Sequence, residues 1–211
     1  PIGKFMGGLS GLTAPDLGVA VVEALVDGLD LTVDELAFGC ARQAGQRTNP
    51  ARQIAVRAGL GFEAFSTTVN SACASGLTAM VYGVQQIQLG RAGVVVAGGV
   101  EAMCRVPFML DRLLSGYLLG HGRVADGMYQ DGFHCPLADQ LMGRTAETLA
   151  ERYEISRAVQ DEYALVSQQK AGRAIAEGAF RAEIVPVVAG EETIDTDEHP
   201  RPDTTLEKLG R

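Results

Sequence analysis

The chain has 211 residues, of which 46% are hydrophobic and 21% are charged, so it can bury a core of the size found in soluble domains. These proportions exclude a disordered tail, a coiled coil and a collagen-like rod. The net charge is −8, from 26 acidic and 18 basic residues, and because no basic stripe is visible the composition argues against a nucleic-acid partner.

The first hundred residues alternate between helical and strand-like patterns. We predict helices over residues 15–28, 50–57 and 75–89 and strands over residues 36–40, 67–69 and 94–97. Asn49 and Pro50 are residue types preferred at a helix N-cap and in its first turn. Five apolar residues share one face of the third helix: Leu77, Met80, Val81, Val84 and Ile87. Short apolar strands that alternate with helices predict a parallel sheet covered on both faces, so the fold class is α/β.

The pattern changes after Arg105. Residues 105–140 are irregular, and a stretch of this length without periodicity is usually functional. The rest is predicted to contain helices over 141–152 and 156–177, with Ser156 as the N-cap of the second. A strand-like run follows over 183–188, and then an acidic run within 190–205 that we expect to be a solvated face. We therefore divide the chain into an α/β domain, residues 1–104, and a mainly helical lid or insertion, residues 105–211.

The sequence also bears on compartment and extent. No apolar run reaches the length needed to span a bilayer and no signal pattern opens the chain, so we expect a cytoplasmic protein without a membrane partner. The chain begins at Pro1 without an initiator Met and stops within a helical pattern at Arg211, which indicates a piece of a longer protein.

Cys73 is the residue best placed for covalent chemistry, because it lies where a predicted strand ends and a predicted helix begins. A helix N-terminus presents free N–H groups and the positive end of the macrodipole, and both stabilise a thiolate. Small neighbours leave room for a substrate, and the Cys73 N–H could donate to an oxyanion formed on an attacked carbonyl. The residues alone leave open a second interpretation, in which Cys73 is a small buried hydrophobe at a helix start.

The other cysteines are weaker candidates, and their wide spacing excludes a zinc-type pair and favours free thiols. Cys40 ends a buried strand and is expected in the core. Cys104 follows the Gly98-Gly99 pair, which weakly resembles a phosphate-cradling turn. Cys135 adjoins His134, but adjacent residues rarely face each other.

The two remaining histidines lack the apolar surroundings of a general base. His121 lies between glycines and is expected on a surface loop. His199 follows the acidic run Asp195-Thr196-Asp197-Glu198.

Several segments, spread over the whole chain, match one family in the same order. They include 1–5, 49–53, 70–76 with the motif Asn-x-x-Cys-x-Ser-Gly, 98–103 with the motif Gly-Gly-x-Glu-x-Met, 142–147, 155–157, 160–161, 197–202 and 204–207. The chain thus resembles the thiolases, which comprise the acetyl-CoA acetyltransferases and 3-ketoacyl-CoA thiolases.

The resemblance implies a thiolase-like fold, in which an N-terminal α/β domain carries the nucleophile and an inserted, mainly helical loop domain holds CoA. Cys73 would take an acyl group from an acyl-CoA, and CoA or the acetyl-CoA enolate would then attack the acyl-enzyme. CoA is a substrate, and no cofactor or metal is implied. Met142 matches a methionine that lines the acyl pocket, whereas Leu141 stands where many short-chain thiolases have His, which removes a polar group from the pocket wall.

Family members continue for roughly as many residues again, into a C-terminal half that is absent here. That half supplies a His that activates the nucleophile, a second Cys and an Asn. A nucleophile without its base typically loses several orders of magnitude in rate, so we expect the isolated chain to be nearly inactive. The expected partners are acyl-CoA or CoA, a complementing C-terminal half, and further copies in a homo-oligomer. The alternatives are a decarboxylating ketoacyl synthase of the same superfamily and a non-catalytic CoA-binding subunit.

Overall fold

Three parallel strands form the main sheet. A computed structural model describes residues 1–211. β1 (Glu35–Gly39) lies between β2 (Phe65–Val69) and β3 (Val95–Gly99). Gly39 is in register with Val69 on one side and Gly99 on the other, so the carboxyl ends of all three strands meet at one edge. Each strand lies within a residue or two of its predicted position.

Helices cover both faces of this sheet. α1 (Ala14–Val26) and α2 (Pro50–Arg57) lie on one face, where Leu36 and Phe38 of β1 are buried in the main core. The other buried members of this core are Val22, Val33, Ala51, Ile54, Ala55, Ala58 and Val96. α3 (Ser75–Gln88) lies on the opposite face and packs against β3. The prediction of three helices and of a parallel sheet covered on both faces is therefore confirmed.

Side-chain caps fix the starts of α1 and α2. The Thr13 hydroxyl accepts from the Asp16 N–H, and the Asp16 carboxylate accepts in return from the Thr13 N–H. Asn49 accepts from the Arg52 N–H with a φ of 45°, in the left-handed region that Asn tolerates better than most residues. The Asn49 amide also donates to the Ser66 carbonyl, so this cap ties α2 to β2.

α3 packs on the sheet through small residues. Ala79 and Gly83 are buried, and a Cβ at Gly83 would lie 3.0 Å from Val95 Cγ1, so no larger side chain fits there without displacing a neighbour. The large apolar residues predicted to share one face are turned to solvent, with 48% to 67% of each exposed. These residues are Leu77, Met80, Val81, Val84 and Ile87.

Residues 105–141 contain short paired strands and are not wholly irregular. β4 (Phe108–Leu110) pairs with β5 (Val124–Asp126), and β6 (His134–Cys135) pairs with β7 (Gln140–Leu141), both antiparallel. A π-helical turn, Tyr129–Phe133, lies between the two pairs. The sequence does not reveal these elements because strands of two or three residues leave no readable alternation.

Two helices and a hairpin follow. α4 (Met142–Arg152) and α5 (Arg157–Ala176) confirm the predicted helices, and Ser156 caps α5 as expected. The predicted strand over 183–188 is wrong in its bounds, because the structure has β8 (Val187–Ala189) paired with β9 (Glu192–Ile194). A short helix, α6 (Leu206–Leu209), closes the chain. Neither α4 nor α5 contains a buried residue.

The acidic run is a solvated face only in part. Asp195 and Thr196 are exposed, as predicted, whereas Asp197 and Glu198 are half-buried and bind backbone N–H groups. Asp197 Oδ1 accepts from the Ile2 N–H at 2.7 Å, and Glu198 accepts from the Lys4 N–H at 3.3 Å and the Gly8 N–H at 3.0 Å. These contacts join the end of the second predicted domain to the start of the first. The division into residues 1–104 and 105–211 stays a prediction.

None of the helices is both long and apolar enough to cross a membrane.

Candidate active site

Cys73 lies in the tight turn between β2 and α3, with its side chain exposed. The interpretation of Cys73 as a buried hydrophobe is therefore wrong. The preceding residue, Ala72, has a φ of 50°. A non-glycine residue pays about 1–2 kcal/mol for this left-handed conformation, which persists only where the surroundings hold it.

Two polar side chains hold this turn. Asn70 Oδ1 accepts from the Ala72 N–H at 3.0 Å. Ser75 Oγ accepts from the Ser71 N–H at 2.9 Å and donates to the Ala72 carbonyl at 2.5 Å. The N–H and the carbonyl of Ala72 are thus both hydrogen-bonded, which holds Cys73 just before the start of α3.

The backbone at Cys73 keeps a free donor. The Ala74 N–H bonds to the Ser71 carbonyl and the Ser75 N–H to the Ala72 carbonyl, but the Cys73 N–H donates to no group of the chain. An unpaired N–H at a helix start can stabilise negative charge on a nearby atom. The arrangement therefore combines an exposed thiol and an unpaired N–H donor on the same residue, the two groups that covalent acyl transfer requires.

Two glycines, Gly39 and Gly99, let α3 approach the sheet closely enough to form this turn. A Cβ on Gly39 would overlap the Ser75 and Gly76 backbone, with the Ser75 oxygen at 2.6 Å. A Cβ on Gly99 would lie 3.1 Å from the Gly76 Cα. Gly98 and Gly99 are the last two residues of β3, so they serve packing here, and the weak resemblance to a phosphate-cradling turn is wrong.

Glu101 holds the loop that follows β1. Its two carboxylate oxygens accept from the Ala41 N–H at 2.9 Å and the Arg42 N–H at 2.8 Å. The Cys40 Sγ lies 3.6 Å from the same carboxylate. Burial, together with the charge of Glu101, raises the pKa of the Cys40 thiol to about 12. Cys40 is 1% exposed, which confirms its predicted place in the core.

The other two cysteines and the histidines occupy separate structures. Cys104 Sγ accepts from the Met6 N–H, and Cys135 lies in β6. His134 Nε2 lies 3.5 Å from Asp139 Oδ1. His121 and His199 are exposed, as expected for His121. No group of three or more His, Cys, Asp or Glu side chains is arranged to hold a metal ion.

Met142 is the first residue of α4, and 44% of it is exposed. Leu141 precedes it as the last residue of β7 and is exposed to a similar extent. The role of Met142 in lining an acyl pocket stays a prediction, as does the nucleophilic role of Cys73.

Sequence reasoning found the turn at Cys73 but missed how it is held. The bracing roles of Asn70 and Ser75 and the backbone contacts of Glu101 were not predicted. One signal was available, because Asn and Ser next to a tight turn often bond to nearby backbone. Glu101 gave no signal, since its contacts depend on the pairing of β1 with β3.

Comparison with known proteins gives one consistent result. The family model for thiolase, N-terminal domain, matches residues 1–211. The chain is 43% identical to acetyl-CoA acetyltransferase of Pseudomonas aeruginosa and 41% identical to beta-ketoadipyl-CoA thiolase of the same species, in each case over 100% of this chain and 56% of the relative. The crystal structure of Bacillus anthracis acetyl-CoA acetyltransferase matches with a TM-score of 0.95 at 40% identity, covering 100% of this chain and 55% of that one.

These matches confirm the predicted family and the predicted thiolase-like fold. The chain spans about half the length of the curated relatives it matches. Over its whole length, the chain belongs to the thiolase family and corresponds to the N-terminal domain of that family.

Proposed function

We propose that Cys73 accepts an acyl group from an acyl-CoA or 3-ketoacyl-CoA thioester and passes it to a second substrate. The observation that carries the proposal is an exposed thiol beside its own unpaired N–H, in a turn held at the start of α3. The family supports the reaction class, because relatives of this chain are named acetyl-CoA acetyltransferase and beta-ketoadipyl-CoA thiolase.

The proposed first step forms one bond and breaks one. The Cys73 thiolate attacks the thioester carbonyl carbon of an acyl-CoA, or the 3-keto carbonyl carbon of a 3-ketoacyl-CoA, and the Cys73 N–H donates to the oxygen that becomes negative. Collapse of this intermediate breaks the bond to the leaving group, which is the CoA thiolate, or the enolate of acetyl-CoA when the donor is a 3-ketoacyl-CoA. The acyl-enzyme then transfers its acyl group to CoA or to that enolate, which restores the thiolate. CoA acts as a substrate, and the proposal needs no cofactor.

We further propose that a second polypeptide segment, matching the remaining length of the relatives, completes the site with a base. The exposed apolar face of α3 supports this, because five large apolar side chains on one helix face are costly to leave in water. A complementing half would cover this face. We also propose that the protein self-associates into a homo-oligomer. We further propose that it acts in fatty-acid metabolism in the cytoplasm.

Met142 is proposed to line the acyl pocket, with Leu141 making the wall apolar. The position of both residues at the start of α4, and their exposure, are compatible with contact to a bound substrate. A Leu141→His variant is expected to change the preference among acyl groups without preventing acylation of Cys73.

Acyl trapping tests the proposal. The chain is mixed with the remaining half of the Pseudomonas aeruginosa relative and radiolabelled acetyl-CoA, quenched in acid, and digested for mass spectrometry. We expect label on the peptide that contains Cys73, none in Cys73→Ser, and full labelling in the matched control Cys104→Ser. An unlabelled Cys73 in a folded, complemented sample would refute the proposal.

The same sample separates the alternatives. Release of CO2 from malonyl-CoA would favour a decarboxylating synthase. Binding of CoA by calorimetry without any acylation of Cys73 would favour a non-catalytic CoA-binding subunit.

A further inference from the structure

A continuous set of hydrogen bonds runs from Glu101 to the turn that carries Cys73. The Glu101 carboxylate accepts from the Ala41 N–H at 2.9 Å. The carbonyl of the same residue, Ala41, accepts from Asn70 Nδ2 at 3.3 Å. Asn70 Oδ1 in turn accepts from the Ala72 N–H, one residue before the nucleophile.

We infer that Glu101 is a positioning residue for Cys73, acting through Ala41 and Asn70. This inference rests on the proposed function, since it concerns the residue proposed there as the nucleophile. Glu101 itself follows the end of β3 and contacts the loop after β1, while Cys73 follows β2. The three loops leave the same edge of the sheet, and Glu101 joins two of them directly.

The left-handed residue explains why such support is needed. Ala72 adopts a φ of 50°, which an alanine leaves unless its neighbours hold it. Asn70 holds Ala72 through its amide oxygen, and the amide nitrogen of Asn70 is in turn held by the Ala41 carbonyl. The Ala41 loop is in turn fixed by two N–H groups on one carboxylate, an arrangement stronger than neutral hydrogen bonds.

Glu101→Gln is the most direct variant, because it keeps the shape but replaces one acceptor oxygen by an amide that faces an N–H group. The readout is the rate at which iodoacetamide alkylates Cys73 in the folded 211-residue chain, resolved from Cys104 and Cys135 by peptide mass spectrometry. We expect the Cys73 rate to fall about tenfold, the factor that corresponds to one ordinary hydrogen bond, while the Cys104 and Cys135 rates stay unchanged.

Glu198→Gln is the matched control. The Glu198 carboxylate also accepts from two backbone N–H groups, those of Lys4 and Gly8, but no hydrogen bond leads from it to Cys73. We expect it to leave the Cys73 rate unchanged. An equal loss of Cys73 alkylation rate in both variants would mean that Glu101→Gln only loosens the fold in general, and it would overturn the inference.

A double-mutant cycle distinguishes positioning from a separate structural role. Asn70→Ala should slow Cys73 alkylation as Glu101→Gln does, and the double variant should be no slower than the slower single variant, because both cut the same path. If the loss of alkylation rate in the double variant equalled the product of the two single losses, the two residues would act independently and the inference would be overturned.

Asn70→Asp keeps the inference testable if Glu101→Gln does not fold. It retains an oxygen for the Ala72 N–H but loses the donor to Ala41. An unchanged Cys73 rate in this variant would also overturn the inference. Acetyl trapping on the wild type, done in parallel, keeps the two proposals apart, because the alkylation cycle does not depend on acyl transfer.

Discussion

Two thiols of this chain have opposite surroundings. Cys73 is exposed at the start of a helix, whereas Cys40 is buried beside Glu101. Burial, and then the charge of Glu101, raise the pKa of Cys40 to about 12. At pH 8 we expect iodoacetamide to label Cys73 and to leave Cys40 unlabelled until the protein is unfolded in denaturant. Peptide mass spectrometry measures both. Equal labelling of the two cysteines in the native protein would contradict the structure around them.

The raised pKa of Cys40 also predicts a dependence of stability on pH. The folded state holds the thiol proton more tightly than the unfolded state, in which the thiol has its ordinary pKa of 9.0. The stabilisation is therefore complete below pH 9 and is lost as the pH rises from 9 to about 12. Urea unfolding across this range measures it. Cys40→Ala, which removes the titrating group, should show a shallower loss than the wild type.

Ala72 provides a second prediction at the scale of one residue. Ala72→Gly removes the cost of a left-handed alanine, about 1–2 kcal/mol, and adds about 0.5–1 kcal/mol of chain entropy to the unfolded state. We expect the free energy of unfolding to rise by up to about 1.5 kcal/mol. Ala44→Gly is the control, because Ala44 lies on an exposed turn with negative φ and should lose stability. Equal losses in both variants would contradict the strain at Ala72.

The contact of α3 with the sheet leads to a prediction at the scale of elements. Gly39→Ala places a Cβ against the Ser75 and Gly76 backbone, which cannot rotate away as a side chain would. We expect a loss of about 3 kcal/mol or more in the free energy of unfolding, at the upper end for overpacking, together with slower alkylation of Cys73.

Gly143→Ala is the matched control for Gly39→Ala. Gly143 lies in α4 with no atom near its missing Cβ, so this variant should be neutral or more stable. Chemical denaturation of the two variants makes the comparison, and similar effects would argue against the close approach of α3.

At the same scale, the sequence predicted elements well where one helix or strand carried its own signal. Asn49-Pro50 marked the start of α2, and Ser156 marked the start of α5. The sequence did not predict how α3 is oriented, because its large apolar residues indicate a buried face. The close approach allowed by Gly83 and Gly39 turns the small residues inward. The orientation of α3 depends on how closely the helix approaches the sheet. The sequence of a single element does not show that distance.

At the scale of the molecule, the start and end of the chain are tied together through Glu198. Backbone donors from Gly8 and Lys4 lower the pKa of this carboxylate below its ordinary 4.5. The contact is therefore fully formed above pH 4.5 and is lost as the pH falls through the lowered pKa. Amide chemical shifts of Gly8, followed by NMR during an acid titration, should move with a midpoint below 4.5. In Glu198→Gln this titration should disappear, and a Gly8 shift that still titrates would rule out the contact.

The site combines what the sequence reveals with what only the fold reveals. The Cys73 turn is local and was predictable from a strand end, small residues and a helix start. Its support comes from residues about thirty positions away on either side, Ala41 and Glu101, which meet it only because β1 lies between β2 and β3. Long-range pairing of this kind leaves no local pattern to read.

The outward apolar stripe on α3 also governs how the protein behaves in a test tube. Sulfate and other strongly hydrated salts are excluded from protein surfaces and strengthen contact between such stripes. The 211-residue chain should therefore salt out at lower ammonium sulfate than a variant in which Val81 and Val84 are replaced by lysine. The protein is therefore best purified at low concentration and in salts whose ions are weakly hydrated.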